Sequence, residues 1–216
     1  MTTEDHVAVI RFPGTLDHES AKRAVEAVGA NATFAWHADV DLPTGTTAVV
    51  LPGGFSYGDH LRPGAIASRA PIMAAIRRLA GDGAPVLGIC NGFQILCEAG
   101  LLPGVLRPNL TLRFICRQAN LEVTEGQTRW TGGRQNGTAI SIPIKHHDGA
   151  WFGDPTEGRV VLRYQDENPN GSVDQIAGIA NRDGNVMGLM PHPEEACDPL
   201  LGSDDGLALF RGLLTP

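Results

Sequence analysis

The order of apolar and polar positions predicts alternating strands and helices over the first hundred residues. Val7-Ala8-Val9-Ile10 is a short, continuous apolar run, the pattern of a strand covered on both faces. From Asp17 the period changes. Ala21, Ala24, Val25 and Val28 fall on one helical face, with Asp17 as the expected N-cap and Gly29 as the stop. Thr33 to Trp36 and Thr46 to Leu51 read as the second and third strands, the third running into Pro52-Gly53-Gly54. Pro71 opens a helix that turns Ile72, Ala75, Ile76 and Leu79 inward and stops at Gly81. A fourth apolar run, in Ala84-Pro85-Val86-Leu87-Gly88-Ile89-Cys90, ends at the cysteine and leads straight into a helix ending near Ala99, before Gly100. This rhythm specifies a parallel sheet with helices on both faces.

After residue 105 the pattern shifts. Leu112 to Arg117, Leu121 to Thr124, Ala139 to Ile144 and Arg159 to Tyr164 read as extended segments between polar turns. Ile176 to Ala180 and Val186 to Met190 flank Asn181-Arg182-Asp183-Gly184-Asn185, a hairpin signal. Ser203 or Asp204 is placed to cap a last helix bearing Leu207, Phe210, Leu213 and Leu214. No repeat or linker divides the chain, so residues 1–216 are expected to form a single domain. The expected fold is α/β: a three-layer, doubly wound, mostly parallel sheet with helices on both faces and appended antiparallel strands.

Composition narrows the functional classes. The formal charge is −7 and the two lysines, Lys22 and Lys145, are far apart, so no basic surface for nucleic acid is expected. No apolar run approaches the roughly 18 residues of a membrane span, and the acidic, polar start Met1-Thr2-Thr3-Glu4-Asp5-His6 is not that of a signal peptide. Cys90, Cys97, Cys116 and Cys197 form no Cys-x-x-Cys pair, which fits reduced thiols and a cytoplasmic location. Cys97 is expected to pack within its helix and Cys116 to face a core from a strand. His146, His147 and Asp148 lack a further ligand cluster at recognisable spacing, so no metal is expected.

One thiol stands apart. Gly88-Ile89-Cys90-Asn91-Gly92 closes a strand and opens a helix, the Gly-x-nucleophile-x-Gly pattern of a strand-to-helix elbow. Such a turn lifts the sulfur above the sheet and aims the Asn91 N–H at whatever the sulfur attacks. A buried structural cysteine beside unrelated glycines is the alternative. A thiol needs a base, and Pro191-His192-Pro193-Glu194 supplies a candidate. If this segment is extended, His192 and Glu194 point the same way, the hairpin strand before them brings the histidine to the sheet edge, and Glu194 orients the ring, giving a Cys90–His192–Glu194 triad. The backbone N–H groups of Gly54, directly after a strand, and of Asn91 are the candidate oxyanion donors.

Beyond these local patterns, Leu51-Pro-Gly-Gly-Phe-Ser-Tyr-Gly-Asp59, Gly88-Ile-Cys-Asn-Gly-Phe-Gln94 and Pro191-His-Pro-Glu194 resemble the class I, triad-type glutamine amidotransferases. Phe-Ser-Tyr-Gly-Asp59, Phe114-Ile-Cys-Arg117, Asn170-Gly-Ser172 and Leu201-Gly-Ser-Asp-Asp-Gly206 are similar to one branch, the glutaminase subunits of phosphoribosylformylglycinamidine synthase in purine synthesis. The likeness runs from about Val7 to Phe210 and implies a flavodoxin-like sheet. It implies that Cys90 attacks the side-chain amide of L-glutamine, that a γ-glutamyl thioester forms and is hydrolysed, and that ammonia passes to a large synthase subunit. That subunit would use ATP and Mg, this chain needing no cofactor, and a small third subunit would complete the complex. The resemblance further implies that Gly53 and Phe55 belong to a turn over the substrate, that Gln94 contacts it, and that His146 to Gly149 lie near its α-groups. Glu195, where the branch often has Arg, and Pro63, where it often has Cys, depart from the pattern. A thiol-sensor module on the same fold, another amidotransferase branch and a stand-alone γ-glutamyl hydrolase are the competing readings; Asn91 after the elbow cysteine, instead of His, counts against the sensor.

Overall fold

The structure, a computed structural model, describes residues 5–215. Nine strands form one sheet. Strands β1 (His6–Arg11), β2 (Asn31–Trp36), β3 (Ala48–Leu51) and β4 (Val86–Ile89) are parallel. Strand β5 (Val105–Arg107) and strand β8 (Ala150–Phe152) form a separate two-stranded sheet that the sequence pattern does not announce. Strands β6 (Ile115–Val123), β7 (Ala139–His146), β9 (Arg159–Tyr164), β10 (Ile176–Ala180) and β11 (Val186–Leu189) complete the large sheet. Its order is β2-β1-β3-β4-β11-β10-β9-β6-β7.

Strand β11 divides the architecture. It is parallel to β4 but antiparallel to β10, so it joins a five-stranded parallel half to an antiparallel extension. Every residue of β3, β4, β10 and β11 is buried, as continuous apolar strands covered on both faces should be. Helix α1 (His18–Ala27) links β1 to β2, and helix α2 (Ile72–Gly81) links β3 to β4 in the opposite direction along the sheet. Right-handed crossovers therefore set them on opposite faces. Helix α3 (Asn91–Glu98) packs on β3, β4 and β11, and helix α4 (Leu207–Arg211) packs beside α1.

Four expectations are corrected. The segments Leu112 to Arg117 and Leu121 to Thr124 belong largely to one strand, β6, because pairing with β7 runs unbroken from Ile115 to Glu122 through the polar residues between them. Cys116 on that strand is exposed, its side chain alternating away from the buried Leu121 and Val123. Helix α4 is preceded by Gly206; neither Ser203 nor Asp204 caps it, and Ser203 Oγ accepts the Asp205 N–H instead. Asp17 precedes α1 but its side chain makes no capping bond, for a reason that lies in the site.

Candidate active site

The cysteine of the elbow sits at φ +50°, ψ −104°, a backbone conformation costly for a side-chain-bearing residue. Neighbouring contacts hold it there. Cys90 N–H donates to Leu189 O at 2.8 Å, extending the β4–β11 pairing, and Gln94 N–H donates to Cys90 O at 3.1 Å, starting α3. Gly92 is required by close approach, since a Cβ at that position would overlap the Leu51 carbonyl of β3.

The register explains how a histidine a hundred residues away reaches this thiol. Gly88 pairs with Gly188 and Ile89 with Leu189, so Cys90 and Met190 leave the sheet side by side. The expected sheet edge is thus the end of an interior strand. His192 N–H donates to Pro143 O of β7 at 2.8 Å, and Cys90 Sγ lies 3.9 Å from Lys145 O. Although β7 is the outermost strand by order, the antiparallel half therefore curls back over the ends of β4 and β11. His192 and Glu194 do come together, with Nδ1 and Oε1 2.6 Å apart, but not through an extended segment. Pro193–Glu195 is a single 3-10 turn, and the turn folds the carboxylate back onto the ring.

This pair is buried: His192 is 1% exposed and the Glu194 side chain 0%. Burial works against the imidazolium, but the Glu194 carboxylate and then the Cys90 sulfur outweigh it, and the ring is pushed up to about 10. His192 Nε2 makes no hydrogen bond of good geometry among the described residues, and Cys90 is its ionisable neighbour on that side. A second carboxylate faces the ring: Asp17 Oδ2 is 3.6 Å from Nδ1, while Oδ1 accepts from Lys145 Nζ at 2.8 Å. That ion pair is why Asp17 does not cap α1. Lys145 also reaches Glu195 at 3.4 Å. Asp17, His192 and Glu194 are the described group of three whose donor atoms would suit a metal, but Glu194 and Lys145 already engage His192 Nδ1 and Asp17.

Of the candidate oxyanion donors, Gly54 lies in a bridge to Thr15 whose bonds, Phe55 N–H to Gly14 O and Leu16 N–H to Gly53 O, bypass its own N–H. Asn91 is the first residue of α3, where a helix leaves its N–H without an internal partner. The Asn91 side chain ties the two segments together, since its Oδ1 accepts Ser56 N–H at 3.1 Å and its Nδ2 donates to Gln94 Oε1 at 2.9 Å. Gln94 Nε2 in turn donates to Asp148 O at 2.6 Å. Gln94 thus lines the site while its amide braces the loop after β7.

One cavity of about 460 Å³ gathers these groups: Gly54, Phe55, Cys90, Gln94, His146 and His192 line it. Gly53 sits immediately behind, where a Cβ would press on Asp17 and His192. Sequence reasoning missed Leu16, Asp17, Asp59, Phe114 and Lys145 as further lining residues of this cavity, whereas His147 and Asp148, which also line it, fall within the His146 to Gly149 stretch that the resemblance sets near the substrate. The local pattern gives Asp17 only a capping signal, and Asp59 lies within the Phe-Ser-Tyr-Gly-Asp segment, whose spacing carries no chemistry of its own. His146 is 3% exposed and, largely through burial and then through His192, is held down at about 3. Cys97 is buried and its thiol pushed well up by burial, whereas Cys197, unplaced by the pattern, rests 3.0 Å from Pro193 O.

An elbow cysteine, a buried histidine–glutamate pair and a flavodoxin-like sheet together define the class of the triad-type glutamine amidotransferases. The model of the CobB/CobQ-like glutamine amidotransferase domain matches residues 4–204. Phosphoribosylformylglycinamidine synthase subunit PurQ of Rubrobacter xylanophilus is 52% identical, with 96% of this chain and 97% of that protein covered. The subunit of the same name from Nocardia farcinica is 54% identical, with 96% of each covered. Among solved structures, a PurLQS structure from Thermotoga maritima aligns at a TM-score of 0.91 and 40% identity, covering 97% of each chain. A glutamine amidotransferase from Thermotoga maritima shares the fold alone, at 18% identity and a TM-score of 0.64, with 97% of this chain and 96% of that one covered. The chain belongs to the glutamine amidotransferases, in the family of the PurQ subunits.

Proposed function

We propose that this chain is the glutamine-hydrolysing subunit of phosphoribosylformylglycinamidine synthase and that Cys90, His192 and Glu194 carry the reaction. The observation that carries the reading is the buried His192–Glu194 pair, 2.6 Å apart, whose histidine lines one cavity with the elbow thiol. The Cys90 thiolate attacks the side-chain amide carbon of L-glutamine. The negative charge that develops on the amide oxygen is met by the N–H groups of Gly54 and Asn91. His192, protonated and held by Glu194, gives its proton to the departing nitrogen, so that ammonia leaves and a γ-glutamyl thioester remains. His192 then takes a proton from water, which attacks the thioester; glutamate is released, and the Cys90 thiolate and protonated His192 are restored. His146, Gln94 and the Gly53-Gly54-Phe55 turn hold the substrate.

The ammonia is consumed by a large synthase subunit, where formylglycinamide ribonucleotide is activated with ATP and Mg and becomes the amidine. A small third subunit completes the complex, which works in the cytoplasm. No described helix is long and apolar enough to cross a membrane. The identity of 52% to 54% over nearly the whole chain favours this branch over other amidotransferases or a free-standing hydrolase. The test is glutamate release from L-glutamine by the chain mixed with its synthase partner, formylglycinamide ribonucleotide and ATP. Release that depends on the partner and is lost in Cys90→Ala is expected. No release, or full release by Cys90→Ala, overturns the reading.

A further inference from the structure

The chemistry proposed above concerns only the amide end of glutamine. The other end carries an ammonium and a carboxylate, and a site that selects the free amino acid must recognise them. The charged groups of the cavity wall can be sorted by what already engages them. Lys145 Nζ is held by Asp17 at 2.8 Å and Glu195 at 3.4 Å. Asp148 Oδ2 is met by His147 Nδ1 at 2.8 Å. Asp59 is different: its Oδ1 is buried and has no partner among the described residues. The nearest cation along the chain, Arg62, is committed to Glu98 through two bonds of 2.6 Å each. Burial, and secondarily the charge of Asp148, push the Asp59 carboxyl up to about 6, as expected for an acid with no counter-cation of its own.

A second group in the same cavity also lacks a partner. His146 is 3% exposed and lines the cavity, and its Nδ1 makes no hydrogen bond among the described residues. Its tautomer follows from Asn170. The Asn170 Oδ1 accepts from Ser172 N–H and Ser172 Oγ, which fixes its Nδ2 toward Gly149 O, Tyr164 Oη and His146 Nε2; an amide nitrogen cannot accept, so His146 Nε2, 3.2 Å away, is the acceptor of that pair. The proton of the neutral ring is then on Nδ1. The cavity lining therefore holds a negatively charged acceptor, its Oδ1 buried, and a buried neutral donor that no described residue satisfies, the complement of an α-ammonium and an α-carboxylate.

We infer that Asp59 is the receptor for the α-ammonium of the substrate, and so the residue that selects L-glutamine over side-chain amides lacking an α-amino group. The inference rests on the glutaminase reading above. It leaves the triad untouched: Asp59 acts on the remote end of the substrate, where binding energy fixes the amide against Cys90.

The test crosses a change in the protein with a change in the substrate. The complex of this chain with its synthase partner is assayed on L-glutamine and on 4-carbamoylbutanoate, which is glutamine without the α-amino group. Wild type is expected to prefer glutamine strongly. Asp59→Asn should lower kcat/KM for glutamine by about 30- to 100-fold, mainly through KM, and leave that for 4-carbamoylbutanoate within about threefold. The preference then collapses. Equal losses on both substrates, or an undiminished preference for glutamine, overturn the inference. Calorimetric binding of the two compounds to Cys90→Ser, with and without Asp59→Asn, gives the same comparison without turnover, and Asp59→Asn should weaken only glutamine. If wild type releases no glutamate, the glutaminase reading and this inference fall together; if it does but Asp59→Asn keeps the preference, this inference alone falls.

Discussion

Replacing Glu194 by Gln isolates the charge behind the imidazole. The glutamine keeps the shape of the side chain and an oxygen able to accept the Nδ1–H, but removes the anion that sits 2.6 Å away at a fully buried position. His192 is held at about 10 against an ordinary 6.5. At about 1.36 kcal/mol per pKa unit, that gap is roughly 5 kcal/mol in favour of the protonated ring, net of an opposing burial cost. Glu194 is the largest favourable contributor, ahead of Cys90, so removing its charge takes away the main support of the protonated ring. Glu194→Gln should therefore bring His192 down by two or more pKa units and cost about 30- to 300-fold in kcat/KM for glutamine. Two measurements check this in the assembled complex: ring titration of His192 by NMR, and kcat/KM from about pH 5 to about pH 10. The sign for stability follows from the same shift. A raised histidine contributes stability that is whole below 6.5 and is lost as pH rises through about 10, so the variant should show a smaller decline that is complete at lower pH. A His192 that titrates unchanged in Glu194→Gln would refute the reasoning, because the anion would then not be what holds the proton.

Other expectations follow from single contacts. Asn91→Ala removes the partner of a buried Ser56 N–H and of Gln94 Oε1, costing about 1–3 kcal/mol in urea unfolding and lowering kcat more than it raises KM, since the Gly54 turn is no longer latched to the elbow. Gly92→Ala drives a methyl into the Leu51 carbonyl; a loss of at least about 1–3 kcal/mol and of most activity is expected, with thermal unfolding as the check. His146 is neutral when folded down to about pH 3, whereas an unfolded histidine takes up a proton below 6.5. Stability should fall as pH drops from 6.5 toward 3, and His146→Gln should flatten that slope relative to wild type in denaturant titrations at several pH values.

The sequence by itself determined the elements that local chemistry fixes. Continuous apolar runs at Val7–Ile10 and Val86–Ile89 can only be satisfied by burial on both faces, and the glycines of the elbow are demanded by backbone that no Cβ can approach. Cys90, His192 and Glu194 were legible because each sits in a short segment whose geometry is nearly self-contained. Tertiary structure decided the rest. That β11 lies beside β4, in a register that releases Cys90 and Met190 together, depends on pairing between strands a hundred residues apart. That Asp17 abandons its helix for Lys145, and that β7 curls over the sheet to bring Lys145 and His146 to the thiol, depends on which charges meet once the layers close. Local pattern encodes what a segment must bury; it carries no information about which distant side chain will share the cavity, because that choice is made by packing and by the pairing of buried charge.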